Sequence, residues 1–179
     1  MKKVLFVITF IAISIISYAQ DTSNYSVKDN SIVISKVIQT GKTIDETYAL
    51  IFPYMAKFYT NSNATNRVDL KDHLIYKGIF SSLACEFGRC INGEHTIDIQ
   101  IREGRTKVTI SSTTAQAAYN KDVYYNWVDY PPFQKYSMKS YFLKKTVLSA
   151  FDMLVKEMNS TMQIIENTLT KPVSTEDEW

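Results

Sequence analysis

Proline and glycine are scarce in this chain of 179 residues, at 4 and 5 copies, and cysteine and histidine occur only twice each. So little glycine and proline excludes a collagen-like repeat and a low-complexity linker protein, and two cysteines are too few for a disulfide-built miniature scaffold. The two histidines and two cysteines lack any zinc-ligand spacing, so no metal is expected. Charge of one sign is also missing in excess, with 20 Lys+Arg against 18 Asp+Glu, and this gives no footing for nucleic-acid binding. There is no glycine-rich phosphate loop, no nucleophile elbow and no His-Glu-x-x-His, and no cofactor is expected. What the chain does have is 45% hydrophobic and 13% aromatic residues in a length suited to one compact domain.

The only long apolar run is at the start. Lys2 and Lys3 precede 13 residues, Val4 to Ile16, broken only by Thr9 and Ser14, and Ser17-Tyr18-Ala19 puts small residues at the −3 and −1 positions of a cleavage site before Gln20. Residues 1–19 therefore read as a secretory signal, too short to span a bilayer in comfort, and the processed chain is expected in the periplasm or outside the cell. No cysteine follows the run, so no lipid anchor is expected. Lys2 and Lys3 account for the whole excess of positive charge, which makes the exported chain formally neutral. An oxidising compartment favours a disulfide between Cys85 and Cys90; two reduced thiols are the alternative.

Residues 20–30 are polar and read as a flexible lead-in to a single domain at 31–170, with a polar, acidic tail at 171–179. Ile32-Val33-Ile34 and Val37-Ile38 mark a first strand. Thr43-Ile44-Asp45-Glu46 has the form of a capping box, and Ile44, Tyr48, Ile51, Met55 and Phe58 follow at helical spacing. Pro53 inside that run predicts a kink or a split helix. Residues 68–70 and 74–87 read as strands, the second bent near Gly78 or Ser81-Ser82, and Asn92-Gly93 is the strongest turn signal of the next stretch. Ile97, Ile99 and Ile101 then alternate with Asp98, Gln100 and Arg102, and Glu103-Gly104 reverses the chain. A two-residue loop there sets Ile99 opposite Val108 and Ile97 opposite Ile110, with Arg102 beside Arg105 and Gln100 beside Lys107 on the other face. That basic corner reads as a solvated rim. From about Ser140 a long helix carries Leu143, Val147, Phe151, Leu154, Met158, Met162 and Ile165 as one stripe, suited to covering a sheet.

The order strand, helix, four strands, helix resembles an uncharacterised secreted family common in Bacteroidetes, described as a domain of unknown function with a TATA-binding-protein-like fold. The likeness rests on the signal ending in Ser-Tyr-Ala-Gln, the strand before Thr43, the helix carrying Glu46 and Tyr48, the hairpin from Ile97 to Arg105 and the closing helix. It extends over residues 32–169. It implies an α+β fold, β-α-β-β-β-β-α, with a curved antiparallel sheet and both helices on one face. It implies no activity, and without a basic surface facing phosphates the fold name carries no expectation of DNA binding.

The functional candidates are few. His73 reads as a surface residue. His95 shares the parity of Ile97 and Ile99, which makes it a core-edge histidine rather than a catalytic base, and Asp98 lies on the opposite face. Residues 119–139 form an aromatic-rich insertion, and nine aromatics fall within residues 119–142. Tyr124, Tyr125, Trp127, Tyr130, Phe133 and Tyr136 are the candidate binding residues for a glycan or an envelope protein if they form an exposed strip; the alternative is that they pack on their own domain. The sequence as a whole reads as a non-catalytic exported binding module. The alternatives are an envelope hydrolase built from dispersed residues and a self-associating structural protein.

Overall fold

Every second residue of one fourteen-residue strand points into the core, and the sheet is assembled on that strand. The computed structural model describes residues 25–59, 66–118, 120–135 and 142–172. Within them the elements run β1 (Ser26–Lys28), β2 (Ser31–Gln39), α1 (Ile44–Tyr59), β3 (Asn66–Leu70), β4 (His73–Glu86), β5 (Arg89–Arg102), β6 (Arg105–Ser112), β7 (Thr114–Ala117), β8 (Asn120–Asn126), a 3-10 turn at Trp127–Asp129, and α2 (Lys144–Thr170). The strand order is β1-β2-β6-β5-β4-β3, all antiparallel, and β7 joins β5 beyond the end of β6 and carries β8. The result is a curved, unclosed antiparallel sheet with two helices, an α+β fold. The signal segment 1–19, residues 20–24, Tyr119, Tyr136 and the tail from 173 lie outside the described residues.

Ile91, Ile97, Ile99 and Ile101 of β5 are buried together with Leu74 and Tyr76 of β4, Val108 and Ile110 of β6, and Ile32, Ile34 and Ile38 of β2. Both helices lie over this one face. The long stripe is the one anticipated, with Val147, Phe151, Leu154, Met158, Met162 and Ile165 buried and Leu169 extending it. Leu143 does not take part: it is the residue before the helix and is 60% exposed. Burial of a stripe of this length is the main stabilising term, at about 1.5–3 kcal/mol for each fully buried side chain.

The capping box forms. The Glu46 amide donates to Thr43 Oγ1 at 3.2 Å, and Glu46 Oε2 accepts from the Thr43 amide at 2.8 Å. The bond from the Thr43 amide, and after it one that the Thr43 hydroxyl donates to the same oxygen, hold the Glu46 carboxyl below its ordinary range. Ile51 and Met55 are buried as the spacing requires, while the side chain of Phe58 is outside the described residues. The helix is not split at Pro53. Pro53 and Ala49 both lie on the exposed side, where water can take the Ala49 carbonyl that the proline leaves without a donor.

Three expectations change. The lead-in is ordered from Tyr25: Asp29 and Asn30, both at positive φ, close a tight hairpin between β1 and β2, and the Tyr25 ring packs edge-on to Phe133 and Phe151. The turn expected within residues 88–93 lies at the start of that stretch, at Phe87-Gly88 with φ of 47° and 75°, while Asn92 and Gly93, its strongest signal, sit inside β5. There Asn92 Oδ1 accepts the Ser82 amide at 2.9 Å where β4 bulges, and a Cβ on Gly93 would lie 2.8 Å from Leu83 and 3.0 Å from Leu154. Glycine is needed at 93 for close packing rather than for a turn. Lastly, the first part of the aromatic insertion is a strand, β8, paired with β7.

Cys85 and Cys90 face each other across the β4–β5 pair and form a disulfide, with Cα atoms 4.0 Å apart. The loop it closes is short, so the chain-entropy contribution is about 2 kcal/mol. Replacing both with serine is expected to lower unfolding free energy by about that amount in urea titration, with folding retained. Failure to fold would show that the bridge does more than restrict the unfolded chain.

Candidate functional site

Among the aromatic residues expected to form a strip, Trp127 is buried in the core and Tyr125, Tyr130 and Phe133 are half-buried against it. Trp127 is 2% exposed, its Nε1 donates to Ser112 Oγ at 2.9 Å, and that hydroxyl donates to the Glu94 carbonyl. Phe133 packs edge-on to Phe151 at 5.2 Å, and Tyr125 packs edge-on to Tyr130 at 5.5 Å. Tyr125, Trp127, Tyr130 and Phe142 surround a cavity of about 20 Å³ above Ile91 and Ala115, roughly the space of one water. Of the six candidates only Tyr124 is exposed, at 52%, with its hydroxyl accepting from Gln116, and Tyr136 lies outside the described residues. The physical reason is the N-terminal half of α2, which leaves apolar surface that β7 and β8 curl round to cover. The rings extend the core.

His95 is buried as its parity predicts, at 5% exposure. Its Nε2 is hydrogen-bonded to the Tyr59 hydroxyl at 2.7 Å, and its ring stacks on Phe80 with centroids 3.8 Å apart. Gly78, directly opposite on β4, makes room for the pair: a Cβ there would lie 2.5 Å from the Tyr59 ring and 2.9 Å from the His95 ring. Burial brings the imidazole down from its ordinary 6.5 to about 4, the Gly93 backbone offsetting only part, and burial also raises the Tyr59 phenol. This is a neutral histidine packed between Tyr59 and Phe80.

The opposite face of the sheet is covered by neither helix. On it His73 Nε2 meets Asp98 Oδ1 at 3.1 Å, and Gln100 Nε2 donates to the same oxygen at 3.3 Å. Asp98 thus pairs with His73, a partnership not anticipated from the sequence because it depends on β4 lying beside β5 with His73 opposite Gln100. Among the described residues His73 has no third partner and no hydroxyl poised on it as a nucleophile.

The same face carries the basic corner in the register read from the sequence, with Arg102 opposite Arg105 and Gln100 opposite Lys107. Together with Val37 of β2 these residues line a depression of about 240 Å³. Among the described residues neither arginine nor Lys107 has an ion pair or hydrogen bond. Like charges directly opposite each other across two strands are destabilising. The hairpin end holding them is nevertheless fixed. The Thr40 and Gly41 amides donate to the Gly104 carbonyl at 2.9 and 3.0 Å, the Gly104 amide donates to the Lys42 carbonyl at 2.9 Å, and Glu103 accepts the Ile44 amide. The corner is a built, rigid concentration of positive charge, and the register that revealed it did not distinguish it from a solvated rim.

The His95 pKa makes a testable demand. From pH 6.5 down to about 4 the unfolded chain binds a proton that the folded chain refuses. The stability that this neutral ring contributes is therefore complete above about pH 6.5 and is lost as pH falls towards about 4, amounting to about 3 kcal/mol. His95→Gln is expected to remove that component of the pH dependence of unfolding. An unchanged slope in the variant would contradict the assignment.

No protein-family model matches this chain, and no curated protein does. Solved structures do. A DUF4468 family protein from Bacteroides ovatus superposes with a TM-score of 0.64 at 11% identity, covering 86% of this chain and 94% of that one. A TBP-like protein from Parabacteroides distasonis gives 0.66 at 9% identity, covering 83% of this chain and 98% of that one. At such identities the likeness is one of fold, and it agrees with the resemblance read from the hairpin and the two helices. The chain has the TBP-like fold of these Bacteroidetes proteins of unknown function.

Proposed function

We propose that this chain is an exported, non-catalytic binding module whose uncovered sheet face takes an acidic glycan of the cell envelope. The observation that carries the reading is the depression at the β5–β6 hairpin: two guanidinium groups and an ammonium with no partner among the described residues, beside Gln100 and over the exposed side chain of Val37. Guanidinium forks match carboxylate and sulfate geometry in two parallel hydrogen bonds, Gln100 can bond a ring hydroxyl, and Val37 offers an apolar floor to the C–H face of a sugar. Because the hairpin end is tied down by the Gly104 and Glu103 bonds, the cations need little ordering on binding.

Export is supported by the leader at 1–19 and is compatible with the disulfide and with the absence, among the described residues, of a helix long and apolar enough to cross a membrane. A non-catalytic role is supported by the two histidines: one is engaged by Tyr59 and Phe80 inside the core, and the other only by Asp98. A self-associating role is disfavoured because a second copy of this face would bring the same cations together.

Calorimetric titration of the processed chain with a short oligogalacturonate, against a neutral maltooligosaccharide, tests the proposal. The acidic sugar is expected to bind and the neutral one not to. The double substitution Arg102→Ser with Arg105→Ser is expected to weaken binding at least tenfold without loss of stability, since it relieves a repulsion. Equal binding of the two sugars, or an unaffected double variant, would refute it.

A further inference from the structure

The opposite end of β5 carries a second unusual surface, independent of the basic depression. Phe87, at the tip of the β4–β5 hairpin, is 92% exposed. It also holds φ at 47°, a left-handed conformation that bulky side chains seldom adopt and that asparagine or glycine takes easily. The chain therefore keeps an aromatic ring at this point against both solvation and backbone preference. The tip is not loose. The Cys85–Cys90 disulfide clamps the strands one pair behind the turn-flanking residues Glu86 and Arg89. Glu86 Oε2 accepts from the Leu143 amide at 3.0 Å and from Thr146 Oγ1 at 2.8 Å, so it caps α2 where the Leu143 side chain cannot.

That cap fastens the start of α2 to the hairpin tip. Leu143 is 60% exposed there, and the next two residues are Lys144 and Lys145, both exposed and, among the described residues, without an ion pair. The first turn of α2 contains no acidic residue, so two cations stand at the helix end where the dipole disfavours them. Phe87, Leu143, Lys144 and Lys145 are thus exposed on two segments that the Glu86 hydrogen bonds hold together in one projection. The Glu86 carboxylate answers the helix end itself, and among the described residues neither Lys144 nor Lys145 pairs with it.

We infer that this projection docks the protein on an anionic lipid bilayer surface. The chemistry matches on both counts: the Phe87 ring and Leu143 side chain enter the boundary between headgroups and acyl chains, and Lys144 and Lys145 reach the phosphates. A bilayer accepts separate protruding side chains without a complementary cavity. The attachment is peripheral, since no described helix is able to span. The geometry also suits the sheet-face site, because the fourteen residues of β5 put the Arg102 end roughly 40 Å from the Phe87 end. Docked at one end, the module holds its basic depression away from the membrane.

The test is co-sedimentation of the chain processed after Ala19 with vesicles of phosphatidylglycerol and phosphatidylethanolamine, and with vesicles of phosphatidylcholine alone. The chain is expected to sediment with the first and not the second, and less so as salt is raised. Lys144→Glu with Lys145→Glu is expected to reduce binding at least tenfold. Phe87→Asn supplies the control for folding: it is expected to raise stability, because asparagine accepts the left-handed turn, while weakening vesicle binding several-fold. Phe87→Trp is expected to show a blue-shifted emission on adding anionic vesicles. Arg102→Ser with Arg105→Ser is expected to leave vesicle binding unchanged, which separates this inference from the sheet-face proposal. Absence of sedimentation, equal sedimentation with phosphatidylcholine, wild-type binding by Phe87→Asn, or loss of binding only in the Arg102/Arg105 variant would each overturn it.

Discussion

The structure depends on the unbroken alternation of β5. From Ile91 to Ile101 every odd position faces the helices, and the strand supplies backbone partners to β4 along one edge and to β6 and β7 along the other. A slip of one residue would turn its isoleucines to solvent and Asp98, Gln100 and Arg102 into the core, so register and burial enforce each other. Because all of this apolar surface lies on one side, both helices must lie there too. The other face is left uncovered for the same reason, and it is polar because β5 alternates.

This asymmetry separates structural chemistry from surface chemistry. On the covered side, polar groups are packed inside the fold: His95 Nε2 bonds the Tyr59 hydroxyl, Trp127 bonds Ser112, and burial raises the phenol of Tyr76 to about 12. On the uncovered side and at the start of α2, cations stand without partners among the described residues, at Arg102, Arg105 and Lys107 and again at Lys144 and Lys145. With 20 Lys+Arg against 18 Asp+Glu the chain is nearly neutral, so these cations matter by their position rather than by net charge.

The hairpin, the capping box and the long helical stripe were legible in the sequence because each is local and periodic. Ile97, Ile99 and Ile101 need only a two-residue turn to find Val108 and Ile110. The short strands β1 and β7 were not legible, since three or four residues carry no period, and β8, seven residues long, was hidden in the aromatic composition of its stretch. Asn92-Gly93 misled for a similar reason: its composition is that of a turn, but the demand on Gly93 comes from Leu83 and Leu154, which no local pattern reveals. The aromatic insertion was visible by composition alone, and composition does not say which way a ring faces. At the basic corner the register was readable, yet the absence of a partner for Arg102, Arg105 and Lys107 is a tertiary fact.

The central claim is that one face of the sheet is free surface and the other is sealed by both helices. Methyl relaxation by a soluble paramagnetic agent measures this directly in the folded, processed chain. The account predicts strong enhancement at Val37, which is 53% exposed, and none at Ile97, Ile99 and Ile110, which are fully buried. Protection of Val37 equal to that of the three isoleucines would contradict it, because the face proposed to bind would then be covered.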